Sequence, residues 1–295
     1  MLIQALRYYA SNPRHLSYRL MPRLYWKQYS KLAREQGIDQ LYLVLSFDCD
    51  TDEDAEAAAS LDEWLHQHGI RATYAVPGVQ LERAADIYQS IARRGAEFMN
   101  HGGQAHAAWQ GDHYISITFY NEMSDDDLEA DIRQGHEVVQ QLIGKAPIGF
   151  RAPHFGYVAY PPELERVHRV LRKIGYRYSS STLPAQALQH APIWKLNGIY
   201  EIPVLGSYVE PLKILDSWTH IRSPQQPTIT DVYGEKLRTT VGKLKRGGFC
   251  GILNYYVDPA HVANSSTFQD ALLSILDLGI PSLTFEELVT VVESA

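Results

Sequence analysis

The sequence predicts an α/β barrel, in which parallel strands alternate with helices around a common core. From residue 41 onward, short apolar runs that favour strands alternate with longer amphipathic runs that favour helices, giving seven or eight strand–helix units. Polar and charged side chains follow several of the apolar runs directly. In barrels, the functional residues lie at these C-terminal ends of the strands.

The first strand–helix unit sets the pattern. Residues 41–47 are apolar and mostly β-favouring, and Thr51 is placed to cap a helix over 52–68 that ends at Gly69. Further strands are predicted at 72–76, 96–100, 147–151, 176–180, 199–204, 249–255 and 281–285. Further helices are predicted at 81–94, 125–142, 162–173, 231–246 and 264–278, with a last one at the C terminus.

The helix over 125–142 has the clearest boundaries. Ser124 and Asp127 form a capping box, acidic residues fill the first turn, and Gly144 closes the helix. Its apolar residues share one face, so we expect it to pack on the barrel.

Two long connections interrupt the alternation of strands and helices. Segment 107–123 is aromatic and irregular or hairpin-like, and 205–230 is a loop that contains prolines. Long loops in a compact α/β domain usually form the rim of a functional site. The predicted organisation is a basic, aromatic, helical N-terminal extension over 1–40 and a single barrel domain over 41–295.

Composition limits the function classes and the location. The net charge of −7 provides no basic field for nucleic acid, and no apolar run is long enough to span a membrane. Arg7 interrupts the apolar N terminus early, so we expect no export signal. Cys49 and Cys250 fall at opposite ends of their predicted strands and give no disulfide framework. A cytoplasmic protein is expected.

The N-terminal segment 1–34 differs from the rest of the chain. It has no acidic residue, and basic and aromatic residues are interleaved in it. These residues are Arg7, Tyr8, Tyr9, Arg14, Tyr18, Arg19, Arg23, Tyr25, Trp26, Lys27, Tyr29, Lys31 and Arg34. The preferred interpretation is a helical appendage packed on the domain. The alternative is peripheral contact with an anionic membrane surface.

Two carboxylates stand where the first strand ends. Because side chains alternate along a strand, Asp48 and Asp50 are expected on one side, with Cys49 facing the other way. Two like charges this close require a cation or a shared proton if they are buried. The alternative is that both residues merely open the next helix, together with the acidic residues that follow Thr51.

Histidines and an arginine follow later strands. His101 and His106, combined with an aspartate, would give the nitrogen and oxygen ligands of an open catalytic zinc site. Since the chain has twelve histidines, a pair could also arise by coincidence. Arg151 leaves a buried strand and needs an anionic partner, for which a strand-end carboxylate is the natural candidate. A purely structural salt bridge predicts the same pairing. Asp258 follows the strand at 249–255.

Taken together, these motifs resemble the polysaccharide deacetylase family, also called the NodB-homology domain or carbohydrate esterase family 4. The resemblance covers roughly residues 41–292. It rests on four motifs in order, which are Ser-Phe-Asp48-Cys-Asp50, His101…His106, Arg151-Ala-Pro153 and Leu-Thr-Phe-Glu-Glu-Leu at 283–288. The resemblance implies a distorted (β/α)7 barrel that holds one divalent metal ion, with zinc expected.

The resemblance also implies roles for individual residues. Asp48 would be the general base, and Arg151 would orient it and tune its charge. The metal ligands would be Asp50, His101 and His106. The family's histidines are usually four positions apart, and here Gly102-Gly103 could absorb the extra residue in a loop.

The residue that protonates the leaving amine differs from the family pattern. Asp258 stands in the context where the family has a histidine, and is the candidate acid if burial raises its pKa. The alternative acids are His154, His220 and His261. The candidate substrate-binding residues are Pro153, His154, Trp218 and Tyr256.

The predicted function is N-deacetylation of an N-acylated sugar, as a nucleotide- or lipid-linked intermediate of surface polysaccharide synthesis. One alternative is a deformylase of a lipid-linked amino sugar or another hydrolase of non-peptide amide bonds. A second is a catalytically inactive sugar-binding module, since the family's late histidine is missing. The predicted partner is a carbohydrate, without nucleic acid.

Overall fold

The computed structural model describes residues 13–294. Its strands are β1 Leu41–Asp48, β2 Ala72–Val76, β3 Glu97–Asn100, β4 Ala107–Gln110, β5 His113–Ser116, β6 Gly149–Phe150, β7 Tyr178–Ser179, β8 Trp194–Leu196, β9 Ile199–Glu201, β10 Ile221–Ser223, β11 Gln226–Ile229, β12 Gly251–Val257 and β13 Ser282–Leu283. Its α-helices are α1 Pro13–Leu20, α2 Pro22–Glu35, α3 Asp52–Gln67, α4 Gly78–Arg83, α5 Ala85–Arg93, α6 Asp125–Ile143, α7 Glu163–Ile174, α8 Pro184–His190, α9 Asp231–Arg246, α10 Pro259–Val262, α11 Ser266–Asp277 and α12 Phe285–Glu293. The part of the predicted N-terminal extension before residue 13 lies outside the described residues.

The main sheet curls into a distorted barrel, which confirms the predicted fold class. Within residues 13–294, seven parallel strands follow one another in the order β12, β1, β2, β3, β6, β7 and β9. Strand β8 adds to β9 in antiparallel orientation, and β13 pairs with β1. The C-terminal ends of the parallel strands therefore meet at one rim.

No strand ladder joins β9 to β12 in the part of the chain that is described, so the barrel closes differently there. The Leu205 amide, just after β9, donates to the carbonyl of Asn254 in β12 at 3.0 Å. The side-chain amide of Asn254 donates in turn to the carbonyls of Ile202 and Pro203, each at 3.0 Å. One asparagine thus bridges the seam.

Helix α2 is part of the packing of the barrel. Its Tyr25, Trp26 and Tyr29 are buried in the main core. The hydroxyl of Tyr29 donates to the carbonyl of Ile252 in β12 at 2.6 Å. The aromatic residues of this helix therefore stabilise the domain. None of the helices in residues 13–294 is long and apolar enough to cross a membrane.

Several elements differ from the sequence prediction. The helix predicted over 81–94 begins earlier and is broken at Ala84 into α4 and α5. The loop predicted over 205–230 contains the hairpin β10–β11. Hairpin β8–β9 was not predicted, although its turn residues Asn197 and Gly198, both with positive φ, are a strong hairpin signal. Segment 107–123 does form a hairpin, β4–β5.

Candidate active site

Asp48 and Asp50 lie together at the rim of the barrel. Asp48 is the last residue of β1, and Cys49 points into the main core on the opposite side. His101, which follows β3, faces both carboxylates. Its Nε2 lies 4.0 Å from Asp48 Oδ2 and 3.6 Å from Asp50 Oδ1. Strand alternation therefore brings the two carboxylates to one side.

Asp50, His101 and His106 form a cluster that could hold a metal ion. Their ligand atoms lie within 4.8 Å of one another, and Asp50 Oδ1 is 3.3 Å from His106 Nδ1. Ligands about 2.0–2.2 Å from a tetrahedral ion are separated by about 3.3–3.6 Å, so these spacings suit a divalent cation. Within the described residues, Asp50 Oδ1 and both ring nitrogens of His106 are buried without a hydrogen-bond partner. A bound cation would satisfy Asp50 Oδ1 and one ring nitrogen of His106, of which Nδ1 lies beside Asp50.

The histidines are held in the form that binds a metal. His101 Nδ1 lies 2.8 Å from the carbonyl of Arg151, so this nitrogen carries the proton and Nε2 keeps its lone pair. Burial lowers the pKa of His101 to about 4 and that of His106 to about 3. Both rings are therefore neutral near pH 7, where protons compete little with a metal ion.

The segment between the two histidines is a loop rather than a helix. Gly102 has a φ of 88°, which a residue with a side chain adopts only with strain. Asp131, in the middle of α6, accepts hydrogen bonds from the amides of Gly103 at 3.1 Å and Gln104 at 2.8 Å. The hydroxyl of Tyr120 donates to the same carboxylate at 2.6 Å. Asp131 therefore fixes the loop that presents the histidines.

Replacing Asp131 by Ala should weaken metal binding about 10- to 100-fold, the usual effect of removing a group that orients ligands. The two loop amides would lose their acceptor, and the distance between the histidines would no longer be fixed. Competition titration with a chelator measures the affinity. Asp126→Ala is the matched control, because Asp126 is exposed on the same helix. Equal affinity in Asp131→Ala and wild type would contradict this role.

Arg151 is fully buried and its guanidinium is held on several sides. Nη1 donates to Asp48 Oδ1 at 2.6 Å and to Ser46 Oγ at 2.9 Å. Nε and Nη2 donate to the carbonyl and hydroxyl of Ser180, each at 3.1 Å. The ring of Tyr256 lies 5.2 Å from the guanidinium carbon. This arrangement fixes one oxygen of Asp48 and leaves Oδ2 facing His101.

Asp258 is buried beside this cluster. Its amide donates to Ser217 Oγ at 3.1 Å, while its Oδ1 has no hydrogen-bond partner among the described residues. Burial raises the pKa of Asp258 well above its ordinary value, and the nearby carboxylates of Asp54 and Asp50 raise it further. Asp258 is therefore favoured as a neutral acid that can donate a proton.

The alternative acids named from the sequence lie in different surroundings. His261 Nδ1 is 4.0 Å from Asp258 Oδ2 and 2.9 Å from Ser217 Oγ, and burial lowers its pKa to about 4. His154 Nε2 is 2.9 Å from the carbonyl of Ile117. His220 Nδ1 is 2.9 Å from the carbonyl of Asp216. Only His261 adjoins Asp258.

The predicted substrate-binding residues differ in accessibility. Pro153 is buried, and so is Tyr256, whose hydroxyl donates to Asp216 Oδ2 at 3.3 Å. His154 is half-buried, whereas Trp218 is 45% exposed. Trp218 therefore offers the largest surface of the four to a ligand.

A cavity of about 260 Å³ adjoins Asp258 and includes residues that the sequence analysis did not single out. It is lined by Thr51, Glu53, Asp54, Trp109, Asp112, Tyr114, Trp218, Pro224, Gln225, Pro227, Asp258, Ala260 and His261. The aromatic composition of segment 107–123 was the sequence signal for Trp109 and Tyr114. The sequence does not show that this segment lies next to the β10–β11 hairpin, because the fold alone brings the two together.

Comparison of the sequence with protein families gives one match. The family model for polysaccharide deacetylase matches residues 37–179. This range contains the cluster of Asp50, His101 and His106 and the Asp48–Arg151 pair, and it ends before Asp258. Among curated proteins, none matches the chain.

Solved structures with the same fold are similar at low sequence identity. A protein from Mycobacterium smegmatis assigned to the polysaccharide deacetylases is 17% identical, with a TM-score of 0.63 over 87% of this chain and 91% of that one. A polysaccharide deacetylase from Bacillus cereus is 14% identical, with a TM-score of 0.51 over 83% and 91%. A pseudoenzyme of carbohydrate esterase family 4 from Bacillus anthracis is 10% identical, with a TM-score of 0.50 over 84% and 65%. These similarities show the fold alone.

Proposed function

Because the family model for polysaccharide deacetylase matches residues 37–179, we propose that the protein removes the acetyl group from an N-acetylated sugar by metal-dependent hydrolysis. The match supports a hydrolase of non-peptide carbon–nitrogen bonds. The observation that carries the proposal is the cluster of Asp50, His101 and His106, whose ligand atoms have spacings that suit a cation and in which buried atoms of Asp50 and His106 lack partners among the described residues. It lies directly beside the Asp48–Arg151 pair.

The proposed metal ligands are Asp50, His101 and His106, and the proposed ion is zinc, which such nitrogen and oxygen ligands favour. When bound there, the ion would supply Lewis acidity to the amide carbonyl and acidify the attacking water.

Asp48 is the proposed general base. Its Oδ1 is occupied by Arg151, and its Oδ2 faces the metal ligands, where it can take a proton from the attacking water. Arg151 orients the carboxylate and places a positive charge beside it.

Asp258 is the proposed general acid, which donates a proton to the leaving amine nitrogen. Its acid form is required for this step, and burial raises its pKa. The rate should therefore fall as pH rises through that raised pKa. Asp258→Asn should lower kcat by about two to four orders of magnitude and remove this alkaline limb.

The pH profile of kcat tests this role. Asp258→His should move the alkaline limb towards about 6.5, the ordinary pKa of histidine. His261→Gln serves as the comparison, because it removes the neighbouring alternative acid. If Asp258→Asn keeps full activity and the alkaline limb, the acid lies elsewhere, and loss of the limb in His261→Gln would assign it to His261.

The proposed substrate is a nucleotide- or lipid-linked sugar of surface polysaccharide synthesis, handled in the cytoplasm. A second candidate function is an inactive sugar-binding module. The replacement of the expected histidine by Asp258, together with the shared fold of the pseudoenzyme from Bacillus anthracis, favours it as the alternative.

Metal analysis followed by a hydrolysis assay tests the proposal. The purified protein should bind one zinc ion per chain and release acetate and a free amine from N-acetylated sugars, and a chelator should abolish release until zinc is restored. Release of formate from N-formylated sugars alone would identify a deformylase. Sugar binding without turnover would favour the inactive module, and failure to bind a metal ion would overturn the proposal.

We further propose that the N-terminal helices contact an anionic membrane surface. Leu20 and Met21, between α1 and α2, are 71% and 54% exposed, and Leu24 is also exposed. Arg23, next to Leu24, and Lys27, about one helical turn further along α2, are also exposed. Apolar residues beside basic ones suit binding to anionic headgroups.

Replacing Leu20, Met21 and Leu24 together by Ser should reduce binding to phosphatidylserine vesicles about tenfold or more, because the apolar contact is lost. Flotation at low and high salt measures this, and wild-type binding should weaken with salt. Val232→Ser is the matched control, since Val232 is an exposed apolar residue outside these helices. If the triple variant floats with vesicles as well as the wild type does, the N-terminal helices do not bind the membrane through these residues and only pack on the domain.

A further inference from the structure

A run of four hydroxyl residues begins at the end of β7. Ser179, Ser180, Ser181 and Thr182 have no exposed surface. Buried hydroxyl groups are unfavourable unless each finds a hydrogen-bond partner. The hydroxyl of Ser179 donates to that of Ser181 at 3.0 Å, and the amide of Ser180 donates to the carbonyl of Phe150 at 3.0 Å. Because Phe150 ends β6, the run lies directly beside the strand that leads into Arg151.

One branch of this network leads to the proposed base. The carbonyl and the hydroxyl of Ser180 accept hydrogen bonds from the guanidinium of Arg151, each at 3.1 Å. Arg151 donates in turn to Asp48 at 2.6 Å. The Ser180 hydroxyl also accepts from the side-chain amide of Asn254 at 3.0 Å. The position of Ser180 therefore helps to determine where Arg151 holds the Asp48 carboxylate.

A second branch leads to a proposed metal ligand. The hydroxyl of Ser181 accepts a hydrogen bond from the amide of Ala152 at 2.9 Å. The peptide unit that carries this amide also carries the carbonyl of Arg151, which lies 2.8 Å from His101 Nδ1. Ser181 therefore fixes the acceptor that orients the His101 ring and keeps its Nε2 turned towards Asp50.

Both branches depend on Glu201, the last residue of β9. Its Oε1 accepts hydrogen bonds from the amide of Ser181 at 2.7 Å and from the hydroxyl of Thr182 at 3.0 Å. Its Oε2 lies 2.8 Å from His168 Nε2, while His168 Nδ1 is 3.1 Å from the carbonyl of Leu196. Glu201 and His168 have no exposed surface. Both oxygens of a fully buried carboxylate are thus held by partners.

The burial of Glu201 indicates a role beyond packing. Replacing a buried ion pair by apolar residues of similar volume is often neutral or stabilising, so packing alone does not call for a carboxylate here. Within the described residues, the hydrogen bonds of Glu201 go to the run after β7 and to His168 rather than to Asp48 or the metal cluster. Glu201 can therefore act on the site only through the serines that it holds.

We propose that Glu201 is a positioning residue, which holds Ser181 and the adjoining Ser180 so that the base and the metal ligand keep one fixed arrangement. The proposal rests on the proposed function and adds a residue on which both parts of the site depend. His168 supports this role because it holds the second carboxylate oxygen in place.

The test uses zinc affinity, measured by competition titration with a chelator, and kcat on an N-acetylated sugar. Glu201→Met should weaken zinc binding about tenfold and lower kcat by a similar factor, with little change in KM, because groups that orient ligands act in this range. Glu201→Gln should recover most of both losses, since its amide oxygen can accept from Ser181 and its amide nitrogen can donate to His168.

Glu97→Met is the matched control. Glu97 also accepts hydrogen bonds from a hydroxyl and an amide, those of Thr73 and Phe285, each at 2.9 Å, but it begins β3 and so lies at the opposite end of the barrel. This variant should lose stability to urea without losing zinc affinity or kcat. If Glu201→Met does not fold, Ser181→Ala takes its place, because it removes only the acceptor of the Ala152 amide and should weaken zinc binding about tenfold.

The outcomes separate this inference from the proposed function. Zinc affinity and kcat equal to wild type in Glu201→Met, or in Ser181→Ala where that variant replaces it, would overturn the positioning role and leave the deacetylase intact. Losses of the same size in Glu97→Met would also overturn it, because they would reflect general destabilisation. Weaker zinc binding in Glu201→Met, in a protein whose wild type hydrolyses no N-acetylated sugar, would support the positioning role and overturn the deacetylase.

Discussion

Replacing Asp48 by Asn should lower kcat for amide hydrolysis by roughly two to four orders of magnitude while the protein still binds one metal ion. The variant keeps an oxygen that can accept the hydrogen bond from Arg151, which is 2.6 Å from Asp48 Oδ1. It loses the carboxylate that takes the proton from water. Because the cluster of Asp50, His101 and His106 does not include Asp48, its ligand atoms remain.

The measurement pairs kcat with metal content in the same preparation. Asp52→Asn is the matched control, because Asp52 is an aspartate of the first turn of α3 that lies outside the cluster. Loss of metal from the Asp48→Asn variant, in proportion to its loss of activity, would show that Asp48 is a ligand rather than the base. Full activity in that variant would show that another group takes the proton.

Replacing Arg151 by Met should destabilise the fold by about 3–5 kcal/mol, the usual effect of removing one partner of a buried ion pair. Arg151 has no solvent exposure, and Asp48 is almost as buried. Removing the guanidinium would leave the Asp48 carboxylate without its cation and would leave the hydroxyl of Ser46 without its donor.

Urea unfolding measures the change in free energy, and a double variant separates its causes. Adding Asp48→Asn to Arg151→Met should recover part of the lost stability, because the unpaired charge is then removed. Arg133→Met is the control, since the Arg133–Glu129 pair is largely at the surface and contributes at most about 1 kcal/mol. A loss of the same small size in Arg151→Met would contradict a buried pair that stabilises the barrel.

The sequence predicts the parts of the site that depend on short-range geometry. Asp48 and Asp50 share a side because a strand repeats every two residues, and Arg151 is recognisable because a charge that leaves a buried strand needs a partner. His101 and His106 are close in sequence, so the loop between them needs only Gly102 to turn. These positions follow from local rules.

Other parts depend on packing that no local pattern specifies. Asp131 lies on the buried side of a helix with ordinary amphipathic spacing, and its role appears only once α6 packs against the histidine loop. The cavity joins residues from Glu53 to His261, which are about two hundred positions apart. Asn254 reads as a polar residue in an apolar strand, and the sequence alone does not say which carbonyls it meets.

The seam that Asn254 bridges has a consequence for how the barrel would open. Strand β9 already has β7 and β8 as neighbours, so the chain that follows it is joined to β12 by single hydrogen bonds and not by a ladder. The Asn254 side-chain amide donates to the carbonyls of Ile202 and Pro203, and both residues are buried. Loss of that single side chain would leave two buried carbonyls without this donor, at a cost of about 1–3 kcal/mol each, so local unfolding of the barrel would begin at this seam.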